Sequence, residues 1–358
     1  MLSLGLTEED LHMTQGGIEF DCKPDQCMVM NLNLRSPSKI LMRLSHFKAD
    51  SFKKLENKLN KIDWTLFLPG NNSLKFNVTT KKSRLYHSNA IAQRCEKIIK
   101  DQFNSSQENI SSKKSPSTQT IFLRVKQDKF TISLDSSGDL LFKRGIKKKV
   151  SKAPLRENLA FAMLYWAGFS KDNILIDPMC GSGTFSLEAA MIKNNLSSGI
   201  YRSFAFESWP GFSQKTWAYQ KKQAKENLEP FQKKQIFASD IDDDAMVALE
   251  QNISNHDFCQ CIDVSKKDFF SITPSKISPP KKGIIMLNPP YGKRLGKKDN
   301  AQSFFQEIGK KLSADFKGWR AGIILPSQEC KSFLDQKLVL KPIFHGGLDL
   351  FAGMGKIK

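Results

Sequence analysis

The stretch ILIDPMCGSGTFSLEAA, residues 174–190, decides the fold. Ile174 to Asp177 read as a short buried strand, Gly181 and Gly183 bracket a tight turn, and a helix is expected from about Thr184. Glycines let the backbone approach a ligand closely, and a helix amino terminus offers N–H groups without intrahelical partners. The spacing is not that of a phosphate-binding loop, which needs four residues between its glycines followed by Lys and Ser or Thr; nor is it the dinucleotide fingerprint. A Gly-Ser-Gly turn alone fits a plain strand-to-helix connection equally well. Asp177 adds chemistry, because a carboxylate at the strand tip repels phosphate but suits an ammonium or other cationic ligand.

Outward from this stretch the chain alternates. Helix RENLAFAMLYWAG (156–168) precedes it, and strands QIFASD (235–240), CIDV (261–264), GIIML (283–287) and GIILP (322–326) follow, with helices between most of them. Such alternation implies an α/β, doubly wound, mostly parallel sheet. The stretch KPIFHGGLDLF (341–351) reads as a hairpin around Gly346-Gly347, which adds one antiparallel strand at the sheet's edge or within it. Before Ser151 the pattern is α+β. It runs through IEF, a helix over about 25–35, strand ILMRLSHF (40–47), and a helix carrying Phe52, Leu55, Leu59 and Ile62 that ends near Trp64. Strand LKFNVTT (74–80), helix SRLYHSNAIAQRCEKIIKD (83–101), a polar loop over 104–118, and strands IFLRVKQ (121–127) and KFTISLD (129–135) complete it.

Composition narrows the partners. Fifty-five Lys and Arg against 36 Asp and Glu give a net charge of +19. A solubilising surface needs only a modest charge of either sign, so this excess points to a polyanion, nucleic acid above all. An anionic membrane is the competitor, but no basic amphipathic helix is dense enough to favour it. The longest near-apolar run, LAFAMLYWAGF (159–169), has eleven residues where about 20 are needed to span a bilayer, so no membrane partner is expected. MLSLGLTEEDLHM lacks the basic and apolar regions of a signal peptide. The seven cysteines are odd in number and scattered. Neither Cys22 with Cys27 nor Cys259 with Cys261 has structural-zinc spacing, so free thiols in a cytoplasmic protein, and no metal, are expected.

Three further stretches carry chemistry. In FASDIDDDAMVALEQN (237–252), Asp240 ends a strand, where an acid commonly takes ribose hydroxyls; Asp242 to Asp244 read as helix-start charges. Gly183 and Asp240 are 57 residues apart, far more than the usual ~20, so an insertion must intervene. The visible candidate, YRSFAFESWPGFSQKTWAYQKKQAK (201–225), mixes aromatics with bases. Two readings of it stand: stacking on unpaired nucleotides, or a small subdomain stapled by its own rings. In DVSKKDFF (263–270), Asp268 follows a short strand, where an acid can accept from an adenine amino group. Finally, IIMLNPPYGKRLG (284–296) is a strand stopped by Asn288-Pro289-Pro290-Tyr291 and followed by Lys293 and Arg294. The Asn oxygen and a fixed proline carbonyl are two acceptors for the N–H groups of an exocyclic amine. They draw its nitrogen toward a tetrahedral form and free its lone pair for attack. Tyr291 would stack on the base, and the cations would take phosphates.

DPMCGSGT followed by NPPYG resembles the class I S-adenosylmethionine-dependent methyltransferases that act on exocyclic amino nitrogens. The RLYHSNAIAQRCEKIIKD, ISLDSSGDLLFKRG and KAPLRENLA segments are similar to the RNA-binding THUMP domain and its join to such an enzyme, and FAFESWPGF resembles the insertion of the ribosomal members. The resemblance implies a partial ferredoxin-like domain over 1–50, because the family carries additional residues before the first strand here. It implies a THUMP domain over 51–148 and a methyltransferase over 149–358. It assigns Asp177, Gly181 and Gly183 to the methionine end of S-adenosylmethionine, Asp240 to the ribose, and Asp268 to the adenine. Pro178, Thr184, Ile241 and Asn288 are also counted as cofactor-binding, and Asn288 to Tyr291 as catalytic at the target guanine. Lys81, Lys82, Arg84, Lys143, Arg144, Lys147, Lys293 and Arg294 are the RNA-binding candidates, with Ile146 and Lys147 standing where the family tends to carry Tyr and Arg. The implied activity is methylation of guanine N2 in 23S rRNA or a pre-ribosomal particle. Transfer RNA is the rival target. An adenine-N6 DNA methyltransferase shares the turn but not the RNA-type amino-terminal half, and an inactive RNA-binding or assembly factor is the reading from another class.

Overall fold

The computed structural model describes every residue except 1–4, 71–72, 106–117, 148, 150–153, 278–282, 291–297 and 335. The chain forms two compact units, residues 1–141 with 201–223, and residues 142–200 with 224–358.

The first unit opens with a hairpin of β1 (His12–Thr14) and β2 (Gly17–Glu19), then α1 (Pro24–Asn33). It continues through β3 (Leu41–Lys48), α2 (Phe52–Leu59), β4 (Ser73–Lys81), α3 (Ser88–Ser105), β5 (Thr118–Lys126) and β6 (Lys129–Asp135). Strands β3-β6-β5-β4 make one sheet, with β4 and β5 parallel and the other pairs antiparallel. No break in the sheet therefore occurs at residue 50. Strand β5 buries every second residue, placing Ile121, Leu123 and Val125 against Leu55 and Leu59 of α2 and Ile91, Cys95 and Ile99 of α3. Helix α2 starts where Ser51 accepts from the Lys54 N–H. It ends at Leu59, earlier than the spacing predicts, because the buried Trp64 belongs to a separate turn in which Asp63 accepts from the Thr65 N–H. Helix α3 begins five residues later than expected, at Ser88, because the segment before it is tied to neighbouring segments: Arg84 N–H donates to Asp128 Oδ1 at 2.7 Å and the Tyr86 carbonyl accepts from Thr80 Oγ1 at 3.1 Å. The polar loop expected over 104–118 falls mostly outside the described residues.

The second unit contains α4 (Glu157–Trp166), β7 (Leu175–Asp177) and α5 (Thr184–Lys193). The chain then passes through α6 (Gln214–Glu226) to β8 (Ile236–Asp240), α7 (Asp243–Ile253), β9 (Ile262–Lys266), α8 (Pro274–Ile277) and β10 (Ile284–Leu287). It finishes with α9 (Lys298–Asp315), β11 (Arg320–Leu325), α10 (Cys330–Phe333), β12 (Val339–His345) and β13 (Leu348–Lys356). The sheet order is β12-β13-β11-β10-β7-β8-β9, a doubly wound sheet in which β13 alone runs antiparallel to its neighbours. Both arms of the expected hairpin thus join the sheet, β13 inside and β12 at the edge. Alternate residues feed opposite cores: Leu175, Ile284 and Met286 face one, while Ile176, Ile285 and Leu287 face the other with Phe305, Ile308 and Leu312 of α9.

Residues 201–223 group with the first unit, and their aromatic side chains are turned inward. Phe204 and Phe206 stack with centroids 5.2 Å apart, and Trp217 meets both edge-on at 5.7 and 5.1 Å. All three are buried, so the stapled reading of this insertion holds for these rings and the nucleotide-stacking reading does not. Arg202 fastens the segment by donating to the carbonyls of Ser137, Asp139 and Leu140 at 2.7–3.1 Å. The Trp209 indole N–H donates to Gln119 Oε1 at 2.8 Å. All seven cysteines are unpaired, six of them buried. Among the described residues no helix is long and apolar enough to cross a membrane.

Alanine in place of glycine inside a helix ordinarily stabilises by about 1 kcal/mol, but a Cβ on Gly309 of α9 would lie 2.3 Å from the Leu334 carbonyl oxygen, a backbone atom. Gly309→Ala is expected to lower the thermal midpoint; a midpoint that rises contradicts the close packing of this helix.

Candidate functional site

Strand β7 is the point at which the sheet's winding reverses: the chain proceeds from β7 to β8 and β9 on one side, then returns to β10 and β11 on the other. Carboxyl-end loops diverge at such a point and leave a crevice. Register fixes what lines it. Ile176 is level with Ile285 and Asp177 with Ala238, so Asn288 and Asp240 each stand two residues beyond the level of Asp177, on its two flanks. Asp240 is level with Lys266, the last residue of the next strand, which places Asp268 two residues beyond that strand's end. The turn after β7 runs between these side chains.

That turn is held from several directions. Gly181 and Gly183 take positive φ values of 52° and 80°, and a Cβ on Gly183 would approach Leu249 Cδ1 to 2.3 Å. One Asp240 oxygen accepts from the Gly181 N–H at 2.8 Å and the other from the Asp242 N–H at 3.1 Å. Each oxygen keeps a further lone pair. Asp177 is wholly buried. Its Oδ2 accepts from the Ser186 N–H at 3.2 Å and the Ser186 hydroxyl at 2.7 Å, tying the strand tip to the first turn of α5, while Oδ1 has no partner. Burial pushes its carboxyl up to about 7 against the pull of the Ser186 bonds, with the Asp240 charge adding to the rise. Pro178 and Thr184 are buried, Ile241 is 66% exposed, and Asp268 is exposed and accepts from the Phe270 N–H.

After β10 the chain reaches Asn288, whose Oδ1 is enclosed and, among the described residues, without a hydrogen-bond partner. Pro289 is buried and Pro290 half-buried. Unmet acceptors in a folded interior are costly and few. Asp177 Oδ1, Asn288 Oδ1 and the Ser182 hydroxyl are three of them within two adjoining strand-end segments. Tyr291, Lys293 and Arg294 lie outside the described residues.

Two RNA-binding expectations are corrected. Arg144 is buried, its Nε 2.9 Å from Glu188 Oε1 with side chains 2% and 1% exposed. The cause is α5, which is buried on nearly every face; a glutamate within it must find a cation. Lys147, with a side chain 6% exposed, pairs with Glu157 at 2.8 Å and donates to Thr184 Oγ1 at 2.8 Å. Both cations brace α5 rather than face solvent. The signal was present in sequence as the lone acid in TFSLEAAMIK. Ser186, Glu188 and the buried Lys193, which donates to two carbonyls and to Gln235 Oε1 at the other end of the helix, went unrecognised for the same reason.

In the first unit Lys81 at the end of β4 and Lys82 and Arg84 in the loop after it are exposed. The loop is fixed by Arg84 N–H donating to Asp128 Oδ1 at 2.7 Å and Asp128 N–H donating to the Ser83 hydroxyl at 3.1 Å. Lys143 is exposed but belongs to the second unit.

Comparison with known proteins places this arrangement. The RMKL-like methyltransferase domain matches residues 144–347, and the THUMP domain matches residues 49–135. The chain belongs to the RMKL-like methyltransferase family and carries a THUMP domain. Slr0064 of Synechocystis sp., named as a candidate RNA methyltransferase, is 31% identical over 90% of this chain and 85% of its own length. The ribosomal RNA large subunit methyltransferase K/L of Methylococcus capsulatus is 30% identical over 89% of this chain, which spans only 44% of that protein. In fold the chain is similar to SMU.472, a candidate methyltransferase solved with S-adenosylhomocysteine; the TM-score is 0.85 at 24% identity, over 98% of this chain and 92% of that one.

Two measurements check the site's internal physics. Arg144→Ala strands a buried carboxylate and should cost about 3–5 kcal/mol in denaturant unfolding of the second unit; an unchanged midpoint contradicts the pairing. Asp177 ionises near 3.9 when unfolded but at about 7 when folded. Ionisation therefore removes folded-state stability as pH rises from about 4 to 7, and the loss is constant above that. Asp177→Asn cannot ionise, so its stability relative to the parent should improve by roughly 1 kcal/mol per pH unit across this window and then level off. A difference independent of pH contradicts the enclosed carboxyl.

Proposed function

We propose that this chain is an S-adenosylmethionine-dependent RNA methyltransferase that acts on the exocyclic N2 of a guanine, in large-subunit ribosomal RNA and in the cytoplasm. The observation that carries the reading is the enclosed Asn288 Oδ1, without a partner among the described residues, at the end of β10 beside the crevice where the sheet's winding reverses. An unmet acceptor at that place suits an amine brought in by substrate.

The residues present fit the cofactor. The Gly181–Gly183 turn admits close approach, Asp240 retains lone pairs for two ribose hydroxyls, the exposed Ile241 offers an apolar face to adenine, and Asp268 offers an acceptor to its amino group. Asp177 Oδ1 is the unmet acceptor on the side where the methionine ammonium belongs. When bound, the cofactor supplies an electrophilic methyl on a sulfonium. The chain's own part is positional: Asn288 Oδ1 and the Pro289 carbonyl accept from the guanine amine, hold it in line, and orient its lone pair toward the methyl. No covalent intermediate on the enzyme is needed. The positive charge of the chain, the THUMP domain and the names of the K/L relatives support RNA, and ribosomal RNA in particular, as substrate.

The test is methyl transfer by the full chain to unmodified ribosomal RNA and, separately, to transfer RNA, followed by nucleoside analysis. N2-methylguanosine in the ribosomal pool alone is expected; transfer to tRNA alone moves the substrate, and transfer to neither removes the enzyme reading. Asn288→Ala should lower kcat by on the order of 10² while cofactor affinity stays within about threefold. Full activity in that variant contradicts the role given to Asn288.

A further inference from the structure

Helix α6 of the insertion has a face that the proposed methyl transfer does not use. Trp217 points inward and is 1% exposed against Phe204 and Phe206. At about 3.6 residues per turn, Lys215, Tyr219 and Lys222 fall on one face roughly half a turn of the helical wheel away from it. All three are exposed, with 58% of Tyr219 open. One helix thus holds one ring inward as an anchor and another outward between two lysines whose α-carbons are about 10 Å apart along the axis. Arg202 is tied to three carbonyls, Lys221 Nζ lies 5.3 Å from the Trp217 ring centroid, and Glu207, the one acid in residues 201–223, accepts from the Phe204 N–H at 2.8 Å. Glu226 lies one turn beyond Lys222.

We infer that this face is a second RNA contact, separate from the THUMP domain, in which Tyr219 stacks on a base of an unpaired strand while Lys215 and Lys222 take the flanking phosphates. It rests on the RNA reading proposed above. A flat π face accepts any base, but in a duplex those faces are already covered by neighbouring pairs, so the contact selects unpaired nucleotides. The anchoring of Trp217 makes the ring an ordered platform, which lowers the entropy lost on stacking.

The experiment uses the full chain and two labelled RNAs, a short unpaired oligonucleotide and a duplex of equal length, with binding followed by fluorescence anisotropy. Tyr219→Ala should weaken binding of the unpaired strand on the order of tenfold and leave the duplex within about twofold, while Tyr219→Phe, which keeps the ring, should bind like the parent. Replacing Lys215 and Lys222 together by Ala should flatten the log–log salt slope by about 1.4. Photocrosslinking with 4-thiouridine should attach RNA to residues 214–226. Parent-like binding by Tyr219→Ala, or equal losses in Tyr219→Ala and Tyr219→Phe, overturns the inference and leaves the RNA reading intact. A parent chain that binds neither RNA overturns the RNA reading itself. Binding to phosphatidylglycerol vesicles that these substitutions abolish, with RNA binding unchanged, reassigns the face to a lipid surface.

Discussion

A parallel strand paired on both flanks must hand its chain on over the ends of its two neighbours. Strand β7 has only three residues, with β8 on one side and β10 on the other, and the chain leaves it in a turn that must fit between the ends of those neighbours. The bond from Gly181 N–H to Asp240 joins the turn to β8, and the bonds from Ser186 to Asp177 join it to α5. The remaining flank, toward Asn288, has no such closure among the described residues. Among the described residues the unmet side-chain oxygens gather where the sheet's own bonding runs out, which is where the proposed reading seats a ligand's donors.

Burying α5 imposes a second constraint. A helix enclosed on nearly every face leaves no solvent for Glu188 or Lys193, so each draws in its partners, Arg144 for one and the carbonyls of Lys171 and Asn173 for the other. Lys147 adds a bond at Thr184, the first residue of the same helix. The helix that carries the Gly-rich turn is therefore fixed at its start, middle and end by charges that contribute geometry. Replacing such pairs with apolar residues often costs little stability, which suggests placement of the turn as their use.

The strand–turn–helix of residues 174–190 and the alternation after it made the sheet legible, because period and punctuation are local. So were Asp177, Asp240, Asp268 and Asn288 as strand-end groups, since position at a strand's end follows from where the apolar run stops. The destination of Arg144 and Lys147 was not legible in the same way: a basic run looks identical whether its side chains face solvent or a buried acid 44 residues away. The insertion's composition likewise allowed two readings. Only packing separates Phe204, Phe206 and Trp217, which face one another, from Tyr219, which faces out. The start of α3 was misplaced because long-range bonds, from Arg84 N–H to Asp128 and from Thr80 Oγ1 to the Tyr86 carbonyl, hold the preceding residues out of the helix.

A crystal structure of the chain with S-adenosylhomocysteine tests the central arrangement most directly. The sulfur should lie over the carboxyl ends of β7 and β10, with the amino-acid end of the ligand donating to Asp177 Oδ1, the ribose hydroxyls on Asp240, and Asn288 Oδ1 directed toward the sulfur. A ligand bound elsewhere, or an Asn288 side chain turned away from that sulfur, contradicts the account.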